Sequence, residues 1–467
     1  MTRMVWRRFV RPVSLLAPVA TALALVTGLA VAQGVWAAGP AAAVTAPEVR
    51  TYHGDNGRSG RENAIAPTRV ARVWSAALSG TVYAQPLVLN VSGRSVVIAA
   101  TEHNYVYGLD AGTGRVLWRT RQLGVPVPRS ELPCGNIDPL GITGTPVYEP
   151  ASGAVWVVAE NRSSSGAVSH LIFAVDPRSG RVMVQHHADP PRQDPRVLQQ
   201  RGALLAANGT IYVAYGGLAG DCGAYYGYVV GIREGNGYLT RYQTPSAREA
   251  GIWAPPGPVG DAHGNLYVAV GNGAATSGRW DLSDSTLQLS PALSVIGAFA
   301  PSRWAADNAS DLDLGSTSPT LLPTGVIYVD GKSDRAYTLR AGRLGGVGSQ
   351  LSTATVCAAY GGTARVASTV FVPCRDGIRG VSIYADGRVR PAWRAAGITG
   401  SPVATRDGSS LLALDVTAGR LYALRTGNGT VIGSAPVGAV TRFATPALSG
   451  SRAFVPTTAG VVAVALR

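Results

Sequence analysis

A repeated phrase is the feature of this sequence that most limits its possible folds. Residues 96–118 read VVIAATEHNYVYGLDAGTGRVLW, and weaker copies recur to the C-terminus. Each copy has a small-residue or proline entry, two β-branched or aromatic runs, a glycine turn and a closing strand. Eight entries lie about 40 to 60 residues apart, the period of four-stranded propeller blades. They are AQPLV at Pro86, TGTPV at Pro146, RGALL at 201–205, GPV at Pro258, TSPTL at Pro319, GGTAR at 361–365, TGSPV at Pro402 and ATPAL at Pro446.

The repeat predicts an all-β fold, an eight-bladed β-propeller over residues 69–467, with seven blades as the alternative count. Val, Ile, Thr and Tyr dominate the runs, as strands prefer. Trp118 is placed to pack between blades. In the first repeat we expect strands at 84–89, 95–101, 105–110 and 115–119.

The two ends of the predicted propeller complement each other. The last repeat lacks an outer strand, and a strand-like segment, VARVWSAAL at 70–78, precedes the first repeat. Pairing these N- and C-terminal strands in one blade would leave no open sheet edge. We therefore expect residues 70–78 to close the ring.

The first 37 residues are typical of an export signal. Four arginines precede an apolar run at 13–31, and small residues then permit cleavage after Ala37 or Ala43. The run is also near the ~20 residues that cross a bilayer, so an uncleaved membrane anchor is the alternative. We interpret residues 38–68 as a linker and expect a bacterial protein that is secreted or anchored to the cell envelope.

Four cysteines agree with an oxidising compartment. Three pairings are conceivable. We favour Cys134–Cys222, which lie in neighbouring repeats, and Cys357–Cys374, which flank the first two strands of one repeat. No CxxC or CxxCH motif supports zinc or c-type haem.

The formal net charge is +14, and Lys332 is the only lysine among 41 cationic residues. The arginines are scattered singly, without a basic stripe interleaved with aromatic residues, so we expect no nucleic-acid partner. A weak attraction to anionic envelope polymers fits this charge better.

The turn phrase LDAGTGRVLW, with its echoes AVDPRSGRV and LRTGNGTVI, resembles the repeat of pyrroloquinoline-quinone (PQQ)-type β-propellers over about residues 70–467. The longer runs ATEHNYVYGLDAGTG, CGNIDPLGITGTPV, GIWAPPGPVGDAHGNLYVAVGNG and DLDLGSTSPTLLP are similar to a group of secreted bacterial PQQ-like repeat proteins. The resemblance implies the propeller fold. It leaves function open, because the same blade serves quinoprotein dehydrogenases and non-enzymatic envelope scaffolds.

The alcohol-dehydrogenase branch of that family would imply an adjacent Cys-Cys pair near PQQ, which this sequence lacks. It would also imply a calcium site of Glu, Asn and Asp, with a further Asp as base. Glu102, Asn272, Asp311 and Asp313 are of the required types, but no flanking motif maps them one to one. PQQ and calcium therefore belong to an alternative function.

Polar and aromatic residues gather in two kinds of loop, those leading into innermost strands and those between second and third strands. In a propeller of this strand order both kinds share one face, where propellers build axial sites. The competing interpretation is that each carboxylate and amide only bonds its own turn. We expect one ligand-binding cleft at the mouth of the axis, lined by Glu102, His103, Asn104, Trp253, Asn272, Asp311, Asp313 and Lys332.

No GxSxG, HExxH, P-loop or EF-hand pattern occurs. We therefore predict a monomeric binding or scaffold module that holds a protein, peptide or envelope polymer on the loop face. The alternatives are a PQQ-dependent dehydrogenase and a polysaccharide-active enzyme that uses Glu102, His103, Asp313 and Lys332.

Overall fold

The structure is a computed structural model, and it describes residues 48–467. The expected export signal or anchor at 1–37 lies outside the described residues, as does the beginning of the expected linker. Eight antiparallel sheets form the described part, one for each predicted entry, so the eight-bladed prediction is confirmed. Within residues 48–467, none of the helices has both the length and the apolar character needed to cross a membrane.

Strands are numbered β1–β34 in chain order, and each blade runs from an innermost to an outer strand. Blades 1 to 4 are β2–β5 (Leu87–Val91, Arg94–Ala100, Val106–Asp110, Val116–Arg119), β6–β9 (Val147–Glu149, Ala154–Arg162, Val168–Val175, Val182–His187), β11–β14 (Leu205–Ala207, Thr210–Gly217, Tyr228–Arg233, Leu239–Gln243) and β15–β18 (Val259–Gly260, Leu266–Val270, Ser285–Leu289, Val295–Ala300).

The other four blades follow the same order. They are β19, β20, β21 and β23 (Thr320–Leu321, Val326–Val329, Arg335–Arg340, Ser352–Thr355), β24–β27 (Ala364–Val366, Thr369–Cys374, Gly377–Ile383, Val389–Ala396), β28–β31 (Val403–Ala404, Ser410–Asp415, Arg420–Arg425, Val431–Pro436) and β32–β34 with β1 (Ala447–Ser449, Arg452–Thr457, Gly460–Leu466, Val70–Ala77).

Four short helices and two short strands complete the described elements. β10 (Leu198–Gln199) extends blade 3, and β22 (Gly346–Val347) pairs in parallel with the outer strand of blade 4. The helices are the α-helix Trp304–Ala309 and the 3-10 helices Arg129–Glu131, Pro195–Val197 and Leu314–Ser316.

Blade 8 contains both ends of the propeller. β1 pairs antiparallel with β34, with Val70 opposite Leu466 and Ala77 opposite Gly460. This is the pairing that the sequence predicts for residues 70–78. It gives blade 8 the fourth strand that the last repeat lacks.

The hydrophobic core lies between blades. Both faces of a middle strand are covered by neighbouring blades, so that eight of the nine residues of Ala154–Arg162 are buried. Between blades 1 and 2, Leu87 and Ile98 pack against Val157 and Phe173. Such strands read as continuous apolar runs because neither face meets water.

Three outer-strand tryptophans join neighbouring blades. Trp74, Trp118 and Trp393 donate their indole N–H to Ala111 O at 3.2 Å, Pro177 O at 3.0 Å and Thr426 O at 2.9 Å, each in the turn of the next blade. The prediction that Trp118 packs between blades is confirmed. In each case a turn glycine lies against the indole ring, at Gly114, Gly180 and Gly429.

The described part of the expected linker, residues 48–68, is packed into the protein, so the linker interpretation is wrong there. Val49, Tyr52, His53 and Glu62 are buried. We call residues 48–65 the axial plug, because they lie against the innermost strands around the ring. The pairs include Val49 with Val88, Arg58 with Leu204, Asn56 with Gly260, Gly60 with Ala404 and Ala64 with Gly450.

The plug looks like a linker in sequence because YHGDNGRSGRE is polar, rich in glycine and without periodicity. Its folding is a tertiary effect. Innermost strands are sheet edges with free backbone groups, and a buried edge needs partners. The plug supplies them, and Glu62 accepts hydrogen bonds from Gln85 and from the backbone of Leu448.

Both predicted disulfides are present, and the described residues contain no free cysteine. Cys134 precedes blade 2 and is bonded to Cys222, which lies between the second and third strands of blade 3. Cys357 precedes blade 6 and is bonded to Cys374 at the end of its second strand.

Candidate functional site

A cleft of about 350 Å³ opens where loops from seven blades converge, which places it at the axis. Its side chains come only from loops leading into innermost strands and loops between second and third strands. These are the two loop classes expected to share one face. The principal lining residues are Tyr83, Asn136, Arg201, Asp221, Tyr225, Trp253, Asn272, Asp311, Lys332, Tyr360, Arg442 and Phe443.

Four of the eight predicted site residues line this cleft: Trp253, Asn272, Asp311 and Lys332. A fifth, Asp313, lies directly behind them, because its Oδ2 is 2.8 Å from Lys332 Nζ. The structure therefore brings five of the eight together, and four of those five face the open cleft.

Asp313 is fully buried and has two structural partners. Its Oδ1 accepts the backbone N–H of Gly315 at 2.7 Å and so caps the 3-10 helix Leu314–Ser316. Its Oδ2 forms the ion pair with Lys332. Burial raises the pKa of Asp313, and the lysine opposes this only in part. The Asp311 carboxylate also raises the pKa of Asp313, as a smaller effect.

Lys332 bridges Asp313 and the exposed Asp311. Burial acts to lower the pKa of Lys332, but the two carboxylates outweigh it and raise the pKa above its ordinary value. The ammonium is therefore charged. With its amide nitrogen turned toward the acceptors, Asn272 lies 3.1 Å from Asp313 Oδ2 and 3.2 Å from Asp311 Oδ1.

Aromatic rings and cations alternate along the wall of the cleft. Lys332 Nζ lies 5.4 Å from the centre of the Trp253 ring, and that ring lies 6.4 Å from Phe443. The guanidinium groups of Arg201 and Arg442 each lie 5.3 Å from the centre of the Phe443 ring. These distances are typical of cation–π and tilted aromatic contacts.

Arg442 is the cleft's least constrained cation. It is exposed, and within residues 48–467 its guanidinium has no hydrogen bond or ion pair; it lies 4.6 Å from the centre of the Tyr360 ring. Arg201 is half-buried and donates to Gln199 Oε1 at 3.2 Å. The two arginines add positive charge to the lining of the cleft, and Asp311 and Asp221 add carboxylates to it.

Glu102 and His103 line a second cavity of about 220 Å³ on the same face, which shares only the lining residue Tyr83 with the cleft. Glu102 is buried and accepts Gly141 N–H at 2.7 Å and Thr143 Oγ1–H at 2.9 Å. Burial raises its pKa to about 7 against these hydrogen bonds. The Nδ1 atom of His103 lies 3.0 Å from Ser79 Oγ.

Asn104 is fully buried and reaches neither cavity. Its amide donates to Glu160 O at 2.9 Å and to Asn161 Oδ1 at 3.1 Å, and so joins blade 1 to blade 2. The prediction that Glu102, His103 and Asn104 share the cleft is wrong. Their loop lies on the expected face, but Glu102 and Asn104 bond inward to blade 2, and His103 bonds to Ser79 ahead of blade 1.

Sequence reasoning missed Tyr83, Arg201, Tyr360, Arg442 and Phe443. A usable signal existed, because each lies just before or within an entry motif: Arg201 begins RGALL, Tyr360 precedes GGTAR, and Arg442 and Phe443 precede ATPAL. The sequence prediction favoured carboxylates and amides, whereas the entry loops also bring arginines and aromatic rings to the axis.

The residues at the cleft do not fit a calcium ion. Lys332 already lies within ion-pair distance of Asp311 and Asp313, the two aspartates of the predicted calcium site. Among the described residues there is also no group of three His, Cys, Asp or Glu side chains that could hold a metal. A flat anionic quinone such as PQQ is a separate matter, since Trp253, Phe443 and the arginines match its ring and its charge.

No protein-family model matches the sequence, and no curated protein matches it. Many solved structures share the fold, and three of them show its range. Quinohemoprotein alcohol dehydrogenase from Comamonas testosteroni has 15% identity and a TM-score of 0.67, covering 90% of this chain and 80% of the other. Quinohemoprotein alcohol dehydrogenase ADHIIG from Pseudomonas putida HK5 has 13% identity, a TM-score of 0.69 and the same coverage.

The third structure is BamB from Moraxella catarrhalis, with 16% identity and a TM-score of 0.56, covering 85% of this chain and 100% of the other. At these identities the likeness shows the fold alone. The resemblance to PQQ-type propellers is thus confirmed as a resemblance of fold.

Proposed function

We propose that the protein is an exported binding module of the bacterial cell envelope, and that its axial cleft holds a flat ligand bearing a carboxylate or phosphate group. The observation that carries the proposal is the alternation of Trp253, Phe443 and Tyr360 with Arg201 and Arg442 around one cleft. The cleft's volume of about 350 Å³ is that of a small-molecule site or of the end group of a polymer.

Arg201 and Arg442 supply the proposed anion site. Guanidinium groups bind carboxylates and phosphates through two parallel hydrogen bonds. Within residues 48–467 the Arg442 guanidinium has ring contacts but no hydrogen bond or ion pair, so a ligand would not have to displace one. Arg201 and Arg442 both lie 5.3 Å from the centre of the Phe443 ring, and both line the cleft.

Two acids supply acceptors. Asp311 and Asp221 line the cleft, and Trp253 offers a flat surface in the same lining. A ligand that carries both hydroxyl or amine donors and an acid matches this set of residues. Sugar acids and the carboxyl ends of aromatic peptides have that chemistry.

Export is supported by two disulfides in a chain of this size, because disulfides persist in oxidising compartments. The Cys134–Cys222 disulfide has a direct bearing on the cleft. It holds the loop 217–225, whose residues Gly217, Asp221 and Tyr225 line the wall.

A quinoprotein dehydrogenase is the second candidate, favoured by the fold shared with two quinohemoprotein alcohol dehydrogenases. The rings and arginines suit the quinone. Lys332, however, already pairs with Asp311 and Asp313, which would have to bind the calcium ion of that branch. A polysaccharide-active enzyme gains no support, because Glu102 and His103 lie in a different cavity from Asp313 and Lys332.

Calorimetric titration of the purified protein tests the proposal. The probes are digalacturonate, N-acetyltyrosine, cellobiose as a neutral control, and PQQ with and without calcium. We expect binding of at least one acidic probe, its loss in Arg442→Gln and Trp253→Leu, and its retention in Arg425→Gln, which changes an exposed arginine of blade 7.

Saturating ligand at about 100 times Kd should also raise the free energy of unfolding by about 2.7 kcal/mol. Binding of no acidic probe, or equal loss in all three variants, would contradict the proposal. PQQ binding that requires calcium would favour the dehydrogenase.

A further inference from the structure

We propose that a second binding site, for a linear polyanion, lies on the outer edge of the propeller between blades 1 and 2. We call it the outer groove and define it by Arg94, Arg115, Arg121, Arg178 and Arg181 around Trp118. It is distinct from the axial cleft, with which it shares no residue.

The groove consists of two hollows. One, of about 540 Å³, is lined by Arg94, Arg115 and Arg178 with Trp118; the other, of about 380 Å³, is lined by Arg121 and Arg181. Gly180, which lines the second hollow, packs against the ring of Trp118, which lines the first. The hollows are therefore neighbours along the outer strand of blade 1.

All five arginines are exposed. Within residues 48–467, the guanidinium groups of Arg115, Arg121, Arg178 and Arg181 have no hydrogen bond or ion pair with protein. Arg94 alone approaches a carboxylate, Asp110, at 3.9 Å. Elsewhere on the surface, arginines such as Arg196 and Arg388 are paired with neighbouring aspartates. The groove thus gathers five exposed cations, of which Arg178 and Arg181 interact with Asp176 only at longer range.

The nearby acids do not neutralise the groove. Asp110 Oδ1 accepts hydrogen bonds from the backbone N–H and hydroxyl of Thr113, both at 2.9 Å. Asp176 is held in the same way by the backbone N–H of Arg178 at 3.0 Å and by Ser179 at 2.7 Å. The five arginines and these two aspartates together carry a net charge of +3.

Two of the groove's charges lie at opposite ends of the outer strand of blade 1. Arg115 precedes the outer strand Val116–Arg119, and Arg121 follows it, so at about 3.3 Å per residue the two are some 20 Å apart. A small anion would use only one end of that strand. A chain with an acidic group on each repeat unit would meet several guanidinium groups at once, and the contacts would add.

The floor of the groove is rigid, and it disfavours nucleic acid. Trp118 is bonded to Pro177 O, and a side chain added at Gly108 or Gly180 would fall 2.3 or 2.5 Å from its ring atoms. Backbone at both glycines therefore packs against the ring, which reduces the surface on which a base could stack, as single-stranded nucleic acids require. A polymer of phosphodiester-linked polyols or of sugar acids needs only the charges.

Polymer binding by wild-type and variant proteins tests the site. The probes are short-chain inorganic polyphosphate and polygalacturonate, with neutral dextran as the control. The groove variant is Arg115→Gln/Arg178→Gln/Arg181→Gln. The matched variant, Arg72→Gln/Arg390→Gln/Arg425→Gln, removes the same charge from exposed arginines on blades 6, 7 and 8.

We expect the groove variant to lose at least tenfold in affinity for one or both polyanions. The slope of log K against log salt should become shallower by about 2 to 3, since each lost contact releases about one counterion fewer. The matched variant should stay within twofold of the wild type, and melting temperatures should show that both variants are folded. In Arg442→Gln, which alters the axial cleft, the groove should still bind inorganic polyphosphate, which has no ring for that cleft to hold.

Equal losses in the two triple variants would show that overall charge alone attracts polyanions, and the site would be abandoned. Absence of wild-type binding to either polyanion would overturn it too, as would tighter binding to vesicles containing phosphatidylglycerol or to single-stranded DNA. Loss of polyphosphate binding in Arg442→Gln would place the polymer in the axial cleft, and the outer groove would then fail while the proposed function stood.

Discussion

At the scale of single residues, partners decide what each buried charge of this protein does. Asp313 is bonded to Lys332 and to a helix end, whereas Asp311, bonded to the same lysine, has 65% of its side chain exposed. His170 is fully buried between Glu160, 3.3 Å from Nε2, and Asp189, 2.8 Å from Nδ1. Asp313 and His170 therefore have structural roles, whereas Asp311 is the carboxylate exposed to a ligand.

Asp313→Ala should lower the free energy of unfolding by about 2–4 kcal/mol, because it removes a helix cap and a buried ion-pair partner. Asp311→Ala is the matched control, and it should change stability by less than about 1 kcal/mol since that carboxylate is largely exposed. Chemical denaturation of both variants measures the difference. Equal stabilities would show that Asp313 is not a structural residue.

His170 should make stability depend on alkaline pH. Burial acts to lower its pKa, but Asp189 and Glu160 outweigh this and raise the pKa to about 10. The edge of the Tyr215 ring is the other contact, at 5.1 Å between ring centres. A cation whose pKa is raised by folding stabilises fully below the ordinary pKa of about 6.5 and loses that effect as pH rises through 10.

We therefore expect the free energy of unfolding to fall between pH 7 and 10 in the wild type and in His187→Gln, which alters an exposed histidine nearby in the chain. The same fall should be smaller in His170→Gln. Denaturant midpoints measured across this range give the answer, and parallel curves for the three proteins would refute the assignment.

At the scale of elements, the tryptophan on an outer strand and the glycine in the next blade's turn form one joint. Gly180 has a φ of +72° and lies under the Trp118 ring, which in turn is bonded to Pro177 O. Trp74 with Gly114 and Trp393 with Gly429 repeat the contact. The turn phrase of the repeat therefore encodes blade-to-blade packing as well as a turn.

Gly180→Ala should cost more stability than Gly166→Ala. Both glycines have positive φ, so both substitutions share a cost of about 1–2 kcal/mol. The new Cβ at position 180 would fall 2.5 Å from the indole ring, whereas nothing lies within 4 Å at position 166. We expect an additional loss of about 1–3 kcal/mol from overpacking. Thermal unfolding of the pair tests this, and equal losses would mean that the indole moves aside freely.

At the scale of the whole molecule, two N-terminal segments complete a ring that the repeats alone leave open. β1 supplies the outer strand of blade 8, and the axial plug covers the free edges of the innermost strands. Tyr52 of the plug lines a small void with Tyr83, Arg201 and Phe443, which also line the cleft. The floor of the candidate site thus belongs partly to the plug.

Two truncations should separate these contributions. A chain starting at residue 66 keeps β1 but loses the plug, and we expect a soluble, less stable propeller with weakened binding in the cleft. A chain starting at 81 also loses the closing strand, and its exposed sheet edge should cause aggregation. Size-exclusion chromatography and thermal unfolding distinguish the two. A soluble, monomeric second truncation would contradict the closing role of β1.

The sequence by itself determined the repeating architecture of this protein. Eight entries, the leftover strand at 70–78 and the cysteine positions predicted the blades, their closing pair and both disulfides. These features depend on local periodicity and on which strand lacks a partner, and both can be read along the chain. The loop classes that line the cleft were predictable for the same reason.

Only the tertiary structure decided which side chains in those loops face the axis. Glu102 and Asn104 turn inward because backbone groups of blade 2 offer them hydrogen bonds. Arg201, Arg442 and Phe443 meet at the cleft although more than 200 residues separate Arg201 from the other two. The plug at 48–65 has no periodic pattern of its own, since its backbone pairs with strand edges that exist only once the ring has closed.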